Sequence, residues 1–342
     1  MIIIKVDILG SGLSGLSTAI SLKKHNKAIR VIIHEKNKKI GYNREGRRCG
    51  ELFLLREDQK HLSPERNSIY NEIEYTEWIL GNKKYVFPIS LGTYYVLNKP
   101  EFICQLARKA ERIGVEIQTG DTIKSITDLT GDFIVDASGC PSSIKRELNL
   151  NQGYQGFGYQ QTLENYEHFS RNRYKIIFNG ENGYYWIFPR NPIKKEINVG
   201  VGIFGTRISN LKKMLEKFKE EEDIDGKINY VTSGLIPLGL QEPLIYRNIL
   251  FVGDAGVGTH PLTGQGNRRA IISGELAGFF LASRCPKKYP SLINEKFFKQ
   301  DLLGKMILKG SLLINKIGKK AVLIMINNLV RLDKAFNFYK TV

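Results

Sequence analysis

Three glycines near the start of the chain have the spacing of a phosphate-binding loop. Gly10, Gly12 and Gly15 follow a β-branched run and precede a segment with helical apolar spacing. The first glycine permits a tight turn, the second lets the backbone approach a pyrophosphate, and the third allows close helix packing. Glu35 lies twenty residues after Gly15, at the end of a second apolar run, where a carboxylate can accept hydrogen bonds from an adenosine ribose. The combination predicts a dinucleotide site on a helix N-terminus.

A second glycine-rich segment selects among the dinucleotides. Phe251 begins a short stretch that reads as the end of a buried strand and closes on Gly253-Asp254, so that a carboxylate would lie beside a ribityl chain and bind its hydroxyls. The turn 264–266 then opens a helix predicted from Asn267 to about Ser283, whose positive end would face a flavin ring and stabilise negative charge on it. The two motifs together predict FAD.

The elements that would carry these motifs follow the order of a Rossmann-like domain. Ile2–Leu9 and Arg30–His34 read as buried strands joined by a helix, which makes a βαβ unit. Lys99–Gly114 predicts a further helix, and Asp132–Gly139 predicts another buried strand that ends in small residues. The segment from Ile40 to about Ser90 reads as irregular and polar.

A middle block of the chain has a different texture. From about Gly153 to Gly239, alternating aromatic and polar runs predict a mostly antiparallel sheet with one charged helix, Ile208 to about Glu222. We therefore predict an α/β protein, α+β overall, in which an inserted β-sheet substrate domain interrupts a Rossmann-like FAD-binding domain. The predicted bounds are 1–150 and 240–285 for the FAD domain, 151–239 for the substrate domain, which part of 45–100 would join, and 286–342 for a C-terminal helical segment.

Composition limits the partners and the compartment. Lys and Arg total 51 against 34 Asp and Glu, a net charge of +17 that favours polyanions, anionic membranes or phosphorylated substrates. The basic residues are scattered and form no nucleic-acid motif, so no nucleic-acid partner is expected. The four cysteines show neither CxxC spacing nor a partnering His cluster, so we expect no metal site, no disulfide framework and a reducing cytosol. No uncharged apolar stretch approaches the roughly 18 residues of a transmembrane helix, so any membrane contact would be peripheral.

The C-terminal segment is basic and amphipathic. Its last forty-two residues carry eight Lys or Arg against two Asp, on a pattern that is helical. One interpretation is a helical cap over the substrate domain. The other is a helix that lies on the inner face of the membrane.

Together the motifs resemble the flavin-dependent family that includes p-hydroxybenzoate hydroxylase and, more closely, the geranylgeranyl reductases. The resemblance covers residues 1 to about 285. The segments 136–139 (DASG) and 253–254 (GD) match the family's two later cofactor motifs. Residues 47–51 (RRCGE) resemble the R-C-G-E element near the flavin, and 184–189 (YYWIFP) resemble the Y-x-W-x-F-P signature that lines a lipid cavity. Asn98-Lys99 departs from the family's Asp-Arg, which keeps a positive charge without bidentate arginine contacts.

The resemblance implies an FAD-dependent reductase that saturates C=C bonds of geranylgeranyl or polyprenyl chains, expected in archaeal-type membrane lipids. Hydride would come from N5 of the reduced flavin, together with a proton. The partners would be a prenyl lipid and an electron donor, either ferredoxin or NAD(P)H. The alternative is an FAD-dependent aromatic monooxygenase, a hydroxylase or halogenase, of the same fold.

The resemblance also supplies site residues. The predicted cofactor-binding residues are Gly10, Gly12, Leu13, Ser14, Gly15, Glu35, Lys36, Arg48, Cys49, Gly50, Lys99, Asp136, Ala137, Gly139, Gly253, Asp254, Gly264, Gln265, Gly266 and Asn267. The predicted substrate-binding residues are Tyr184, Tyr185, Trp186, Phe188 and Pro189.

Two residues are candidates for the proton donor. Cys49 follows Arg47 and Arg48, which give its thiol a cationic environment. His260 lies beside the late flavin motif, and an imidazole titrates near neutrality. The alternatives are a buried small hydrophobe for Cys49 and a loop-stabilising hydrogen-bond donor for His260.

Overall fold

The computed structural model describes residues 4–42, 49–56, 61–89, 92–178, 183–204, 210–261 and 263–314. The chain divides into two compact units. The first unit comprises Met1–Arg47, Lys99–Tyr154 and Ile236–Leu302, and the second comprises Arg48–Asn98, Gln155–Leu235 and Leu303–Val342.

The described elements are sixteen strands and six α-helices. The strands are β1 Lys5–Leu9, β2 Arg30–Glu35, β3 Leu52–Leu55, β4 Ile69–Ile73, β5 Tyr75–Leu80, β6 Lys83–Pro88, β7 Thr93–Leu97, β8 Glu116–Thr119, β9 Phe133–Asp136, β10 Gln155–Glu164, β11 Arg173–Phe178, β12 Gly183–Asn191, β13 Glu196–Phe204, β14 Lys227–Pro237, β15 Ile245–Tyr246 and β16 Ile249–Phe251. The helices are α1 Leu13–His25, α2 Lys99–Arg112, α3 Ser143–Glu147, α4 Leu211–Glu221, α5 Asn267–Ala282 and α6 Tyr289–Ile314.

A six-stranded sheet forms the core of the first unit, in the order β15-β16-β9-β1-β2-β8. The pairs within β16-β9-β1-β2-β8 are all parallel, and β15 adds an antiparallel edge. Val6 and Ile8 on β1 are fully buried, as expected for a central parallel strand that is covered on both faces. Parallel strands end at one edge of their sheet, so the loops after β1, β9 and β16 are brought together. This is the predicted Rossmann-like architecture.

Helices α1 and α5 pack almost backbone to backbone. A Cβ built on Gly274 would lie 2.9 Å from the Cβ of Ser17, and one built on Gly278 would lie 2.8 Å from the backbone N of Leu22. Contacts this short exclude any side chain at the two glycines. The helix of the early glycine motif and the helix of the late motif are therefore fixed against each other.

The second unit contains a seven-stranded sheet in the order β14-β10-β13-β12-β11-β5-β6 and a three-stranded sheet in the order β3-β7-β4. The seven-stranded sheet is mostly antiparallel, with one parallel pair, β5–β11. Helix α4 covers one face of it, where Leu215 and Phe218 pack with Leu163, Val199 and Val201. The middle block thus has the predicted sheet and charged helix.

The prediction that the segment from Ile40 to Ser90 is irregular is wrong, because it contains β3, β4, β5 and β6. Strand β6 lies at the edge of the larger sheet, and its residues alternate between half-buried and exposed. Edge strands keep polar and charged side chains on their solvated side. The polar composition therefore reflects edge position rather than the absence of strands.

The predicted C-terminal helical segment is described only in its first part. Helix α6 runs from Tyr289 to Ile314, and residues 315–342 lie outside the described part of the chain. No helix among the described residues combines the length and the apolar composition needed to cross a bilayer.

Candidate functional site

The early glycine loop has the backbone conformation that the pyrophosphate motif requires. Gly10 has φ +99°, and a Cβ there would lie 2.7 Å from the carbonyl oxygen of Ala137. Gly12 is the N-cap of α1, and no described side chain caps this helix end. The N–H groups of the first turn, which includes Leu13 and Ser14, are thus available to an anion. A Cβ on Gly15 would also lie 2.0 Å from the Gly10 carbonyl oxygen, so neither position accepts a side chain.

Glu35 is buried beside this loop. One of its carboxylate oxygens accepts the N–H and Oγ–H of Ser11 at 2.9 and 2.7 Å. The other accepts the backbone N–H and side-chain amide of Asn37 at 2.9 and 2.7 Å. Burial alone would raise the pKa of Glu35, but hydrogen bonds from Asn37 and Ser11 lower it. The neighbouring Lys36, also predicted to bind the cofactor, is exposed.

The loop after β9 completes the floor of the same site. Asp136 is fully buried and accepts hydrogen bonds from Ser138 N at 2.9 Å and from the hydroxyl of Ser142. Burial raises its pKa in spite of these hydrogen bonds. Because the turn itself occupies the carboxylate, we assign Asp136 to holding that turn. The backbone of Ala137 then lies against the glycine loop, at the carbonyl that a Cβ on Gly10 would meet. Gly139 has φ +94° and open space beside it.

The late motif meets the early one directly. Gly253 has φ +55°, its N–H donates to Ser273 Oγ at 2.9 Å, and a Cβ there would lie 2.8 Å from the Cβ of Ser14. Asp254 is partly exposed, and its Oδ1 would lie 3.6 Å from a Cβ built on Gly266. The two predicted motifs, far apart in sequence, therefore line one site.

The N-terminus of α5 faces this site with a cation beside it. Gly266 is the N-cap, again without a side-chain cap from any described residue. The turn before it is held by the hydrogen bond from Gly264 N to His260 O and by the one from His260 N to Gln265 O, both 2.9 Å long. Lys99 donates to the side chain of Asn267 at 3.0 Å. The lysine that replaces the family's arginine thus lies at the positive end of α5.

His260 does not fit the predicted role of acid. Its side chain is buried, and burial, followed by the charge of Arg269, lowers its pKa to about 3. The imidazole is therefore neutral near pH 7, and a neutral imidazole is a poor acid. Its backbone bonds to the turn before α5 agree with the alternative, a structural role in the loop.

The aromatic strand β12 divides the predicted substrate residues between two faces. Tyr185 stacks on Phe218 of α4, with ring centroids 4.1 Å apart and planes within 2°, so it belongs to the core under that helix. Pro189 lies four residues after Tyr185, so its side chain is on the same face of the strand. Tyr184, Trp186 and Phe188 point to the opposite face. The packing of Tyr185 under α4 contradicts the prediction that it binds substrate. Because Pro189 is on the same face as Tyr185, the same argument applies to it.

The opposite face of β12 is a continuous aromatic surface. The centroid of Tyr184 lies 5.8 Å from that of Phe178 and 5.8 Å from that of Phe204. Trp186 and Phe188 stack with centroids 6.1 Å apart. A Cβ on Gly200 would collide with the Trp186 indole, so the ring lies flat against the backbone of β13. We call Tyr184, Trp186 and Phe188 the aromatic face.

The segment around Cys49 contacts this aromatic face. A Cβ on Gly50 would lie 2.9 Å from the ring of Phe188. The backbone N–H of Glu51 donates to Cys49 Sγ at 3.3 Å. The predicted residue Arg48, with Arg47, lies outside the described residues. The two segments that resemble reductase motifs are thus joined inside the second unit.

A buried ion cluster locks this junction. Arg190 forms ion pairs with both Glu51 and Glu196, and its guanidinium lies 4.0 Å from the centre of the Tyr70 ring. Asn198 donates to Glu51 at 3.1 Å. Burial alone would lower the pKa of Arg190, but the charges of Glu51 and Glu196 raise it above its usual range.

Sequence reasoning missed this cluster and also Gln160. The one available signal is that Arg190 directly follows the YYWIFP run, as Glu51 directly follows Cys49-Gly50. Glu51 and Arg190 are 139 residues apart, so their pairing has no local signature.

Comparison with known proteins agrees with this geometry. A family model described as the geranylgeranyl reductase catalytic domain matches residues 156–235. A digeranylgeranylglycerophospholipid reductase of Methanocella arvoryzae is 25% identical over 322 residues, which cover 81% of this chain and 77% of that protein. Its counterpart in Sulfolobus acidocaldarius is 24% identical, with 80% of this chain and 67% of that protein covered.

Solved structures share the fold. A geranylgeranyl bacteriochlorophyll reductase-like protein from Thermoplasma acidophilum superposes with a TM-score of 0.82 at 20% identity, covering 93% of this chain and 89% of that one. The flavin-dependent halogenase CmlS gives a TM-score of 0.65 at 17% identity, covering 91% and 63%. Likeness at this identity concerns the fold alone. The match over residues 156–235 and the curated relatives make the chain similar to the geranylgeranyl reductases.

Proposed function

We propose that this protein is an FAD-dependent reductase that saturates carbon–carbon double bonds in the geranylgeranyl chains of membrane lipids. The curated relatives are named digeranylgeranylglycerophospholipid reductases, which gives the substrate class for them. The observation that carries the proposal is the contact of Gly50 with Phe188, which joins the R-C-G-E segment to the YYWIFP strand. A chain with the two flavin motifs and this junction has the parts that such a reductase needs.

The first unit is proposed as the cofactor domain. The uncapped N-terminus of α1 would bind the pyrophosphate, Glu35 the adenosine ribose and Asp254 the ribityl hydroxyls. Lys99 and the N-terminus of α5 would place positive charge where the reduced flavin becomes anionic. Reduced FAD supplies the hydride equivalent that an isolated double bond requires.

The second unit is proposed as the substrate domain. The aromatic face would pack against the prenyl chain and exclude water, since burial of each CH₂ group contributes about 0.8 kcal/mol. Tyr184 is buried, and burial raises its pKa well above its usual range. Its phenol therefore stays neutral, as an apolar binding surface requires.

Cys49 is proposed as the proton donor to the second alkene carbon. Its side chain is partly exposed, and the Glu51 N–H fixes its sulfur at 3.3 Å. His260 is not proposed for this role, because burial and the charge of Arg269 lower its pKa to about 3.

Partners and location follow from charge and exposure. The sequence carries one dinucleotide fingerprint, which fits either ferredoxin or transient NAD(P)H as the electron donor. Helix α6 exposes Phe298, Leu302 and Met306, at 52, 49 and 61%, four residues apart and so on one helix face. With the basic C-terminal segment, this face is proposed to contact the anionic inner surface of the membrane.

The alternative, an aromatic hydroxylase or halogenase, is favoured only by fold. The halogenase CmlS gives a TM-score of 0.65, lower than the 0.82 of the Thermoplasma acidophilum reductase-like protein. The match to the reductase catalytic domain falls on the seven-stranded sheet that carries the aromatic face. The two activities differ in their products, because reduction adds two hydrogens for each double bond whereas monooxygenation adds oxygen.

The test is direct. The purified protein should show a flavin absorption spectrum, and dithionite-reduced protein mixed with vesicles that contain digeranylgeranylglycerophospholipid should add pairs of hydrogens by mass spectrometry. An unchanged lipid, or product that contains added oxygen under air, would contradict the proposal.

Glycine variants test the cofactor site independently. Gly253→Ala should lose bound FAD, because its Cβ would meet Ser14 and its φ is positive. Gly234→Ala, where a Cβ meets nothing within 4 Å, should retain the flavin. Flavin content per protein, measured after desalting together with the melting temperature, checks both variants. Equal flavin content in the two would place the cofactor elsewhere.

A further inference from the structure

We infer that Gln160 is a positioning residue that fixes Cys49 relative to the aromatic face. Gln160 lies on β10, two strands from the YYWIFP strand, and is 3% exposed. Its side chain contacts both segments of the proposed substrate site. The inference rests on the proposed function, because it deepens the roles of Cys49 and Trp186.

One amide group makes both contacts. Nε2 of Gln160 donates to the backbone carbonyl of Cys49 at 3.0 Å, and Oε1 accepts the indole N–H of Trp186 at 3.0 Å. A carboxylate would only accept and an ammonium would only donate, whereas an amide does both. The residue type at this position therefore matches a bridge between a carbonyl and an N–H group.

The bridge closes a circuit of contacts. From Gln160 the circuit passes to Trp186, whose ring stacks on Phe188, and from Phe188 to the backbone of Gly50. Gly50 is bonded to Cys49, which returns to Gln160. Gly200 is not part of this circuit, but its lack of a side chain lets the Trp186 indole lie flat against the backbone of β13. One side chain therefore contacts both the Cys49 backbone and the Trp186 indole.

The position of a thiol that acts on a bound alkene matters to a fraction of an ångström. When the Gln160 bridge is lost, the Cys49 carbonyl loses one hydrogen bond and the thiol should shift, while the proposed apolar surface for the prenyl chain is largely kept. We therefore expect kcat to change more than KM. The reactivity of the Cys49 thiol toward an alkylating probe should change as well, in the absence of any lipid.

Three variants separate the two halves of the bridge. Gln160→Glu keeps an acceptor for Trp186 but loses the donor to Cys49, and Gln160→Leu loses both. Trp186→Phe removes the indole N–H and leaves the amide facing Cys49. Gln161→Leu is the matched control, because Gln161 is also buried on β10 but faces α4, where it bonds to Glu216 and Lys219.

The primary readout is the rate of Cys49 alkylation by iodoacetamide, measured by peptide mass spectrometry between pH 6 and 9 on the flavin-loaded protein without lipid. Gln160→Leu and Gln160→Glu should change that rate about tenfold, equivalent to about 1.4 kcal/mol. Gln161→Leu should leave it within about twofold of wild type, roughly 0.4 kcal/mol. In a Trp78→Phe background, the Trp186 emission maximum should shift in Gln160→Leu but not in Gln161→Leu.

Each outcome decides the inference. If Gln160→Leu and Gln160→Glu alkylate like Gln161→Leu, Gln160 does not position Cys49. If Gln160→Leu fails to fold, Gln160→Glu and Gln160→Asn decide, and the shorter amide should restore part of the wild-type rate. If wild type reduces no prenyl lipid, the proposed function fails, but alkylation and fluorescence still test the bridge. If the enzyme is active, a Gln160 variant that changes KM and leaves kcat unaltered would also overturn the inference.

Discussion

Arg190 is a single guanidinium buried between two carboxylates. Both Glu51 and Glu196 pair with it, and Asn198 and Asn229 donate to the two carboxylates at 3.1 and 3.0 Å. A buried charge that loses its partner destabilises a protein much more than a surface charge does. The consequences of mutation within this cluster should therefore be unequal.

Arg190→Leu leaves two carboxylates buried without a cation and should lower the free energy of unfolding by about 3–5 kcal/mol. Glu51→Gln leaves the guanidinium paired with one carboxylate and keeps hydrogen bonds to the new amide. It should therefore lower the free energy of unfolding by only about 1–2 kcal/mol. Urea unfolding at neutral pH measures both. Glu221→Gln, from an exposed ion pair, is the control and should have little effect. Equal losses from Arg190→Leu and Glu51→Gln would contradict the charge argument.

At this scale the sequence predicts residues whose role depends on local geometry. Gly10 and Gly253 are identified because a tight turn after a strand leaves a local pattern. Arg190 and Gln160 are not, because each acts through a partner more than a hundred residues away. Tyr185 was misassigned because a motif gives residue types, whereas the face each residue takes depends on the helix that covers the strand.

At the scale of elements, the β1–β2 pair carries a charge cluster beside the cofactor motif. His34 Nδ1 lies 2.6 Å from Asp121, and its Nε2 lies 3.4 Å from Asp7, which also pairs with Lys5 at 3.2 Å. Burial alone would lower the pKa of His34, but the carboxylates of Asp7 and Asp121 raise it. Burial alone would raise the pKa of Asp7, but the adjacent His34 and Lys5 and the N–H of Gly131 lower it to about 2.

These shifts predict how stability depends on pH. The folded pKa of His34 exceeds the unfolded value of about 6.5, so its contribution is complete below that pH and is lost as pH rises through the folded pKa. The contribution of Asp7 is lost only as pH falls from about 4 toward 2. Thermal unfolding of wild type and His34→Gln, between pH 5 and 9, measures this. Wild type should lose more stability than His34→Gln above neutrality, and parallel curves would contradict the assignment. Lys5, Asp7, Asp121 and Glu116 are the charged groups around His34.

The helices and central strands were predictable because their apolar periodicity is long and continuous. Strands β4 and β6 were not, because each is a short edge strand that mixes polar and apolar residues. Strand β5 was not, because its place in the sheet depends on pairing with a distant segment. The parallel pairing of β5 with β11 joins residues about a hundred positions apart. Such pairing leaves no signal in the local sequence.

At the scale of the whole molecule, one ion pair ties helix α6 to the flavin motif. The carboxylate of Asp301 accepts hydrogen bonds from both Nη atoms of Arg269, each at 2.8 Å, and from the backbone N–H of Leu240 at 2.7 Å. Arg269 also donates to the carbonyls of Val257 and Gly258, at 3.0 and 3.1 Å. The loop that follows Gly253-Asp254 is therefore held by α6.

Asp301→Asn should weaken FAD binding as well as stability. It leaves the Arg269 cation buried without a counter-charge, which should lower the free energy of unfolding by about 3–5 kcal/mol. Release of the 257–258 loop should raise the FAD dissociation constant about tenfold, roughly 1.4 kcal/mol. Fluorescence titration of the apoprotein with FAD measures the constant, and an exposed acid such as Asp128 changed to Asn is the control. Unchanged affinity in a folded Asp301→Asn protein would separate α6 from the cofactor site.

The close packing of Gly274 and Gly278 against α1 has a consequence for the order of events during synthesis. The ribosome completes α1 more than two hundred residues before α5, so the first unit cannot reach its final packing until most of the chain has emerged. Contacts between distant segments slow folding and prolong the exposure of apolar surface. The nascent first unit should therefore depend on chaperones. Free FAD should speed its maturation only after residue 278 has left the exit tunnel.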